Sequence, residues 1–162
     1  MKYLDYAVTF SEFPDEIALC INISNCPFHC SGCHSSELWE DKGEELNEES
    51  LTTLIGRNPG ISCIGFMGGN PNSVNDLANF VKQHWLLKIG WYTGYQFIPK
   101  EINLNNFDYI KIGPYIKELG GLDNPNTNQK FYAKGSCIHK MDADSNTLYD
   151  ITDKFWKNGC NN

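Results

Sequence analysis

Ile17-Ala18-Leu19-Cys20-Ile21-Asn22-Ile23-Ser24-Asn25-Cys26-Pro27-Phe28-His29-Cys30-Ser31-Gly32-Cys33-His34 joins an apolar run directly to a loop that holds three cysteines. The run predicts a buried strand over residues 16–24, and the cysteine-dense filling after it has neither helical nor strand periodicity. Three thiolates in a C-x3-C-x2-C spacing can grip one metal centre from a single loop. A structural zinc site wants four protein ligands in a closed tetrahedron. A simple electron-transfer 4Fe-4S cluster wants four cysteines. Three from one loop leave one cluster iron open to a further molecule. The competing reading is a zinc site completed by His29, His34 or a distant cysteine, although no second ligand pair with zinc-module spacing follows.

Outward from this loop, the chain repeats the same plan. Residues 3–10 and 16–24 read as two strands around a turn at 11–15, where Pro14-Asp15 supplies the turn chemistry. Asn47-Glu48-Glu49-Ser50 opens an apolar-periodic helix through Leu51, Leu54 and Ile55 to about Arg57, and Pro59-Gly60 stops it. Residues 61–67 form a buried-type strand. Val74, Leu77, Phe80, Val81 and Trp85 recur at helical spacing within 73–87. Strands are predicted at 88–93, 109–112 and 130–133, with short helices at 99–104 and 151–156. Strands alternating with helices imply parallel pairing and right-handed crossovers. So few units cannot close a ring, so the expected fold is α/β, a small, incomplete TIM-like barrel in one domain over residues 1–162. In open α/β sheets ligands sit beyond the carboxyl ends of the strands.

Three further motifs fall at those ends. Phe66-Met67-Gly68-Gly69-Asn70-Pro71 closes one strand, and its paired glycines let a ligand approach the backbone. Trp91-Tyr92-Thr93-Gly94-Tyr95 closes the next, with a hydroxyl at Thr93. Asp108-Tyr109-Ile110-Lys111-Ile112-Gly113-Pro114-Tyr115 closes a third; a strand lysine such as Lys111 is more often solvated than functional. Leu119–Gln129 reads as a polar loop. Cys20 and Cys63 sit in apolar strands and read as core. Cys137 and Cys160 have no paired spacing, and His84 and His139 have no visible partner.

Composition narrows the class. The chain has 162 residues, seven cysteines and a net charge of -7. An acidic chain argues against a nucleic-acid binder. An odd number of cysteines, three of them clustered, reads as metal binding rather than a disulfide framework. No apolar run is long enough for a membrane span. Met1–Tyr6 lacks the apolar core of a signal peptide, so a cytoplasmic location is expected.

The cysteine run resembles the signature of the radical S-adenosylmethionine (SAM) superfamily. That resemblance implies a 4Fe-4S cluster on Cys26, Cys30 and Cys33, with SAM chelated at the open iron and cleaved to a 5'-deoxyadenosyl radical. Gly68, Gly69 and Asn70 resemble the superfamily's Gly-Gly-Glu-Pro motif, which contacts the SAM amino group. Asn70 stands in place of the acid; its amide oxygen can still accept a hydrogen bond from an ammonium. Gly32 before the last cysteine, the Tyr-Thr-Gly-Tyr string within Trp91–Tyr95 and the Asn126–Gln129 stretch with its Asn-Gln segment are similar to one branch, the small activating proteins of anaerobic ribonucleoside-triphosphate reductase. The resemblance implies Thr93 as a SAM contact, the reductase as protein substrate and a flavodoxin or ferredoxin type electron donor. No acid/base dyad is expected, because the cofactor carries the reaction. The alternatives are an activase of another glycyl radical enzyme such as pyruvate formate-lyase, a small-molecule radical SAM enzyme, and a non-enzymatic metal module that bridges partners.

Overall fold

The computed structural model describes residues 1–138 and 144–156; His139 and Cys160 lie outside them. Eight strands form one mixed sheet. They are β1 Lys2–Thr9, β2 Ala18–Ile23, β3 Glu44–Glu45, β4 Cys63–Met67, β5 Lys88–Tyr92, β6 Tyr109–Ile112, β7 Lys130–Lys134 and β8 Leu148–Asp150. Their spatial order is β3-β1-β2-β4-β5-β6-β7-β8. The central four, β2, β4, β5 and β6, run parallel. The flanks, β3 and β1 on one side and β7 and β8 on the other, run antiparallel.

This arrangement corrects the expected barrel. A TIM-like barrel, even a partial one, needs a helix after nearly every strand, and the described residues contain two α-helices, α1 Glu48–Arg57 and α2 Pro71–His84. Both pack on the same face of the sheet. Leu51, Leu54 and Ile55 of α1, and Val74, Leu77, Ala78 and Val81 of α2, share one core with Leu19, Ile21, Ile64, Phe66, Ile89 and Trp91. The connection from β5 to β6 carries no α-helix. The short helix expected at 99–104 gives way to a single 3-10 turn, Leu104–Asn106. Asparagine competes with helix there: the Asn103 side chain accepts from the Asn105 N–H.

The opposite face is covered by a loop. Side chains alternate across a strand, so Ala18, Cys20 and Cys63 face away from the helices and join Phe13, Tyr109, Phe131 and Ala133 in a second core. Phe13 is wholly buried. Its ring lies over Gly65 and Gly90 of β4 and β5, where any Cβ would strike it. An aromatic plug from the β1–β2 turn thus occupies space that a barrel would give to further strands.

Local signals account for both helices. Asn47 caps α1, its side chain accepting from the Ser50 N–H while Ser50 Oγ accepts from the Asn47 N–H. Asn70 caps α2, with Pro71 at the first helical position. The N-terminal ends of the parallel strands are tied together by Glu16, which is 5 % exposed. Its carboxylate accepts from Tyr109 Oη at 2.8 Å, Ser62 Oγ at 2.6 Å and the Lys88 ammonium. Asp108 accepts from Lys82 of α2 at 2.6 Å and from the Ile89 N–H at 2.8 Å. No helix among the described residues is long and apolar enough to cross a membrane.

Candidate iron–sulfur site

Parallel register decides where the site falls. Asn22 pairs with Met67, Met67 with Tyr92 and Tyr92 with Lys111. The four central strands therefore end level, and the loops that follow them meet at one end of the sheet. They enclose a cavity of about 190 Å³ lined by Cys26, Cys30, Cys33, Phe28, Gly68, Gly69, Thr93, Gly94, Lys111 and Gly113. The three cysteines, the glycine pair and Thr93, far apart in sequence, are neighbours here.

The cysteine loop is pinned at both ends by backbone hydrogen bonds. Asn25 N–H donates to Glu40 O at 3.1 Å and Cys26 N–H to Leu38 O at 2.9 Å. Within the loop Cys33 N–H donates to Cys30 O at 3.0 Å, and Ser35 N–H donates to Cys33 Sγ at 3.4 Å. Gly32 has φ +75°, a left-handed conformation in which a side chain would be strained. That need explains glycine directly before the third cysteine. All three thiols are free and half-buried.

The donor set fits a cluster better than a single ion. His29 lies stacked on Trp39, with ring centroids 4.9 Å apart, and His34 packs against Tyr115 at 5.7 Å. Among the described residues no three His, Cys, Asp or Glu side chains gather around a point where one ion could sit. A tetrahedral zinc holds each sulfur at about 2.3 Å and so needs them tightly drawn together. A four-iron cluster spans its three thiolates more widely. Cys26, Cys30 and Cys33 could hold it, with Gly68 and Thr93 on the wall of the same cavity.

The other anticipated residues divide. Gly68 and Gly69 both adopt left-handed φ, +103° and +94°. Gly68 is fixed twice, its N–H donating to Tyr92 O at 2.9 Å and its carbonyl accepting from Trp91 Nε1 at 2.8 Å. Thr93 is buried at the cavity wall, and its hydroxyl accepts a long hydrogen bond from the Tyr95 N–H. Asn70 does not line this cavity. Its side chain accepts from the Asn72 N–H at 3.0 Å and caps α2, and the residue borders separate hollows beside Phe97 and beside Met1.

Lys111 enters the site against expectation. It is 8 % exposed and donates to Gly113 O at 2.8 Å. Burial lowers its ammonium to about 8, against the opposing pull of Cys30 and Cys33. Its signal in the sequence was its setting: Tyr109, Ile110 and Ile112 around it are all buried, so the strand has no solvent face on which a lysine could lie.

Comparison with known proteins bears on the same segment. Residues 17–120 match the family model described as a 4Fe-4S single cluster domain. Neither the curated proteins nor the solved structures give a match. The matched stretch runs from β2 to the turn beyond β6 and contains every residue placed around the cavity. On that span, with three cysteines turned to one chamber at the ends of the parallel strands, the chain belongs to the 4Fe-4S single cluster domain family.

Proposed function

We propose that this iron–sulfur protein is a radical SAM activating enzyme that generates a glycyl radical on anaerobic ribonucleoside-triphosphate reductase. The observation that carries the reading is the count and company of the thiolates. Three cysteines share a cavity with a left-handed glycine pair and a buried threonine, so a ligand on the fourth iron would meet exposed backbone and a hydroxyl. Cys26, Cys30 and Cys33 would hold the cluster, which, once reduced by a flavodoxin or ferredoxin type donor, would supply the one electron that cleavage of SAM to methionine and an adenosyl radical requires, the radical then taking a hydrogen atom from the glycine α-carbon. Gly68 and Gly69 present backbone to the ligand without a Cβ in the way. Thr93 offers its hydroxyl from a buried wall, where a hydrogen bond is not diluted by water. Lys111, held by Gly113 O, places positive charge beside Cys30 and Cys33 and offsets the negative charge of thiolates. The cysteine cavity adjoins a cleft of about 970 Å³, a route by which a protein substrate could reach it. Placement and exclusion of water are the protein's tasks; hydrogen abstraction needs the reacting atoms within about 3–3.5 Å. Such an enzyme would work in the cytoplasm with its reductase.

The test is anaerobic. The protein is reconstituted with iron and sulfide, reduced, and its EPR spectrum recorded with and without SAM. A reduced 4Fe-4S signal that changes on adding SAM and vanishes in Cys30→Ala is the expected result. A cluster blind to SAM would end the radical reading and leave a cluster-bearing module. Glycyl-radical EPR on the reductase, against pyruvate formate-lyase as the rival substrate, then identifies the partner.

A further inference from the structure

The cysteine cavity adjoins a second and larger cleft, of about 970 Å³. The two share Cys33, Ser35, Tyr92, Lys111 and Tyr115. Gly120, Gly121 and Gln129, the residue before β7, also line the cleft. Gln129 is 5 % exposed. Its backbone N–H donates to Thr127 Oγ1 at 3.2 Å, but its side-chain amide has no hydrogen-bond partner among the described residues. Nor is that amide sealed in: the unpartnered side-chain atoms wholly closed off from solvent are Trp39 Nε1 and Asn128 Oδ1. The small surface that Gln129 retains therefore belongs to the cleft.

A nearly buried amide without a partner is destabilising, and native structures seldom keep one unless something completes it. A primary amide has an acceptor oxygen and two N–H donors. The group that satisfies both sides at once is another amide, and the commonest source is a peptide backbone. At about 970 Å³ the cleft has room for an extended chain. Glu12 also lines the cleft, and its carboxylate disfavours a phosphate-bearing ligand. The cleft is at the upper end of the size of small-molecule pockets, and it leads to Cys33 and Lys111.

We propose that Gln129 is a specificity-determining residue whose amide pairs with the backbone of an extended, glycine-containing peptide of the protein substrate and so holds that glycine at the passage to the cysteine cavity. This rests on reading the chain as an activating enzyme for a protein glycine. The occupant is an uncharged stretch of main chain, recognised by hydrogen bonding.

The experiment uses the reconstituted full chain and a capped nonapeptide with one central glycine, taken from the radical loop of the reductase. Peptide and SAM affinities are measured separately for wild type, Gln129→Met, which keeps the length of the side chain and removes its polar atoms, and Gln129→Glu, which keeps the shape and removes the donor. Thermal melts show that each variant is folded. Peptide Kd is expected to rise about tenfold in Gln129→Met, with SAM affinity within twofold of wild type. Replacing the central glycine with N-methylglycine should weaken binding to wild type and weaken it less to Gln129→Met, because the two changes remove the same hydrogen bond. Unchanged peptide affinity in both variants, no peptide binding by wild type, or loss of SAM affinity instead would each overturn the inference. A wild-type holoprotein that cleaves no SAM, while peptide affinity still falls in Gln129→Met, would reject the activase reading and leave the peptide cleft standing.

Discussion

Gly94→Ala should impair cluster assembly far more than it impairs folding. Gly94 follows β5 and meets the face of Phe28, the residue midway between Cys26 and Cys30. A Cβ at position 94 would stand 2.6 Å from two Phe28 ring atoms and 3.0 Å from a third. Ordinary contact begins near 3.4 Å, so the ring must retreat by about 0.8 Å. Tyr95 restricts the retreat, because its ring packs edge-on against Phe28 with centroids 5.0 Å apart. Phe28 is only half-buried, so the cost to stability lies at the low end of overpacking, about 1 kcal/mol. For a chain of this size that lowers Tm by roughly 2–4 °C. The cysteines are less forgiving, since metal–ligand distances tolerate only about 0.2 Å, and the displaced ring sits between two of them. Iron and sulfide per chain, measured after anaerobic reconstitution, should fall below half the wild-type value. Phe28→Ala placed in the Gly94→Ala background should restore them. Wild-type iron and sulfide in Gly94→Ala, or a loss that Phe28→Ala fails to relieve, would refute the argument that Gly94 exists to seat Phe28.

Other perturbations separate the two ends of the sheet. Glu16→Gln removes the charge that Lys88, Tyr109 and Ser62 converge on; urea unfolding at neutral pH should show a loss of about 2 kcal/mol, with iron content unchanged because the cysteines sit at the opposite strand ends. Asn70→Ala deletes the α2 cap and should cost about 1 kcal/mol; SAM affinity within twofold of wild type would confine Asn70 to capping, whereas a large loss would place its amide at the ligand. Burial alone pushes the Asp150 carboxyl up, but the Thr152 hydroxyl and N–H and the Lys130 ammonium together hold it below its ordinary value. A lowered folded value means that its contribution is present above about pH 4 and disappears as pH falls through that lowered value. The Tm gap between wild type and Asp150→Asn should therefore narrow on acidification, and a gap that widens would contradict the assignment.

The sequence disclosed those parts of the fold whose signal is local. β2, β4, β5 and β6 are continuous apolar runs, and α1 and α2 carry helical periodicity with asparagine caps, so their places were readable within a few residues. β3 and β8 were not. Glu44–Glu45 is exposed and has no strand pattern of its own; it becomes a strand because Lys2 and Tyr3 pair with it. The barrel expectation failed for a related reason. Alternation of strand and helix was extended past α2, where the chain between β5 and β6 has the apolar content of an element but the asparagines of a turn. In the site, the thiols and glycines announced themselves by spacing. Gln129 did not, because what distinguishes it is burial, and burial of a polar loop residue is decided by which distant segments close over it; Lys111 showed only in the apolar company of its strand.

That contrast follows from how the sheet divides its polar groups. At the N-terminal strand ends, Glu16 and Asp108 collect hydrogen bonds from Lys88, Tyr109, Ser62, Lys82 and the Ile89 N–H. A network satisfied in that way rigidifies the strands it joins. At the C-terminal ends the thiols of Cys26 and Cys30 and the side-chain amide of Gln129 have no hydrogen-bond partner among the described residues. Phe13 makes the division possible. Its ring, set over Gly65 and Gly90, fills the middle of the helix-free face and joins Tyr109, Phe131 and Ile151 in closing that side of the sheet. The aligned ends of β2, β4, β5 and β6 are thereby fixed from below, and the loop that carries the three cysteines rests on that base.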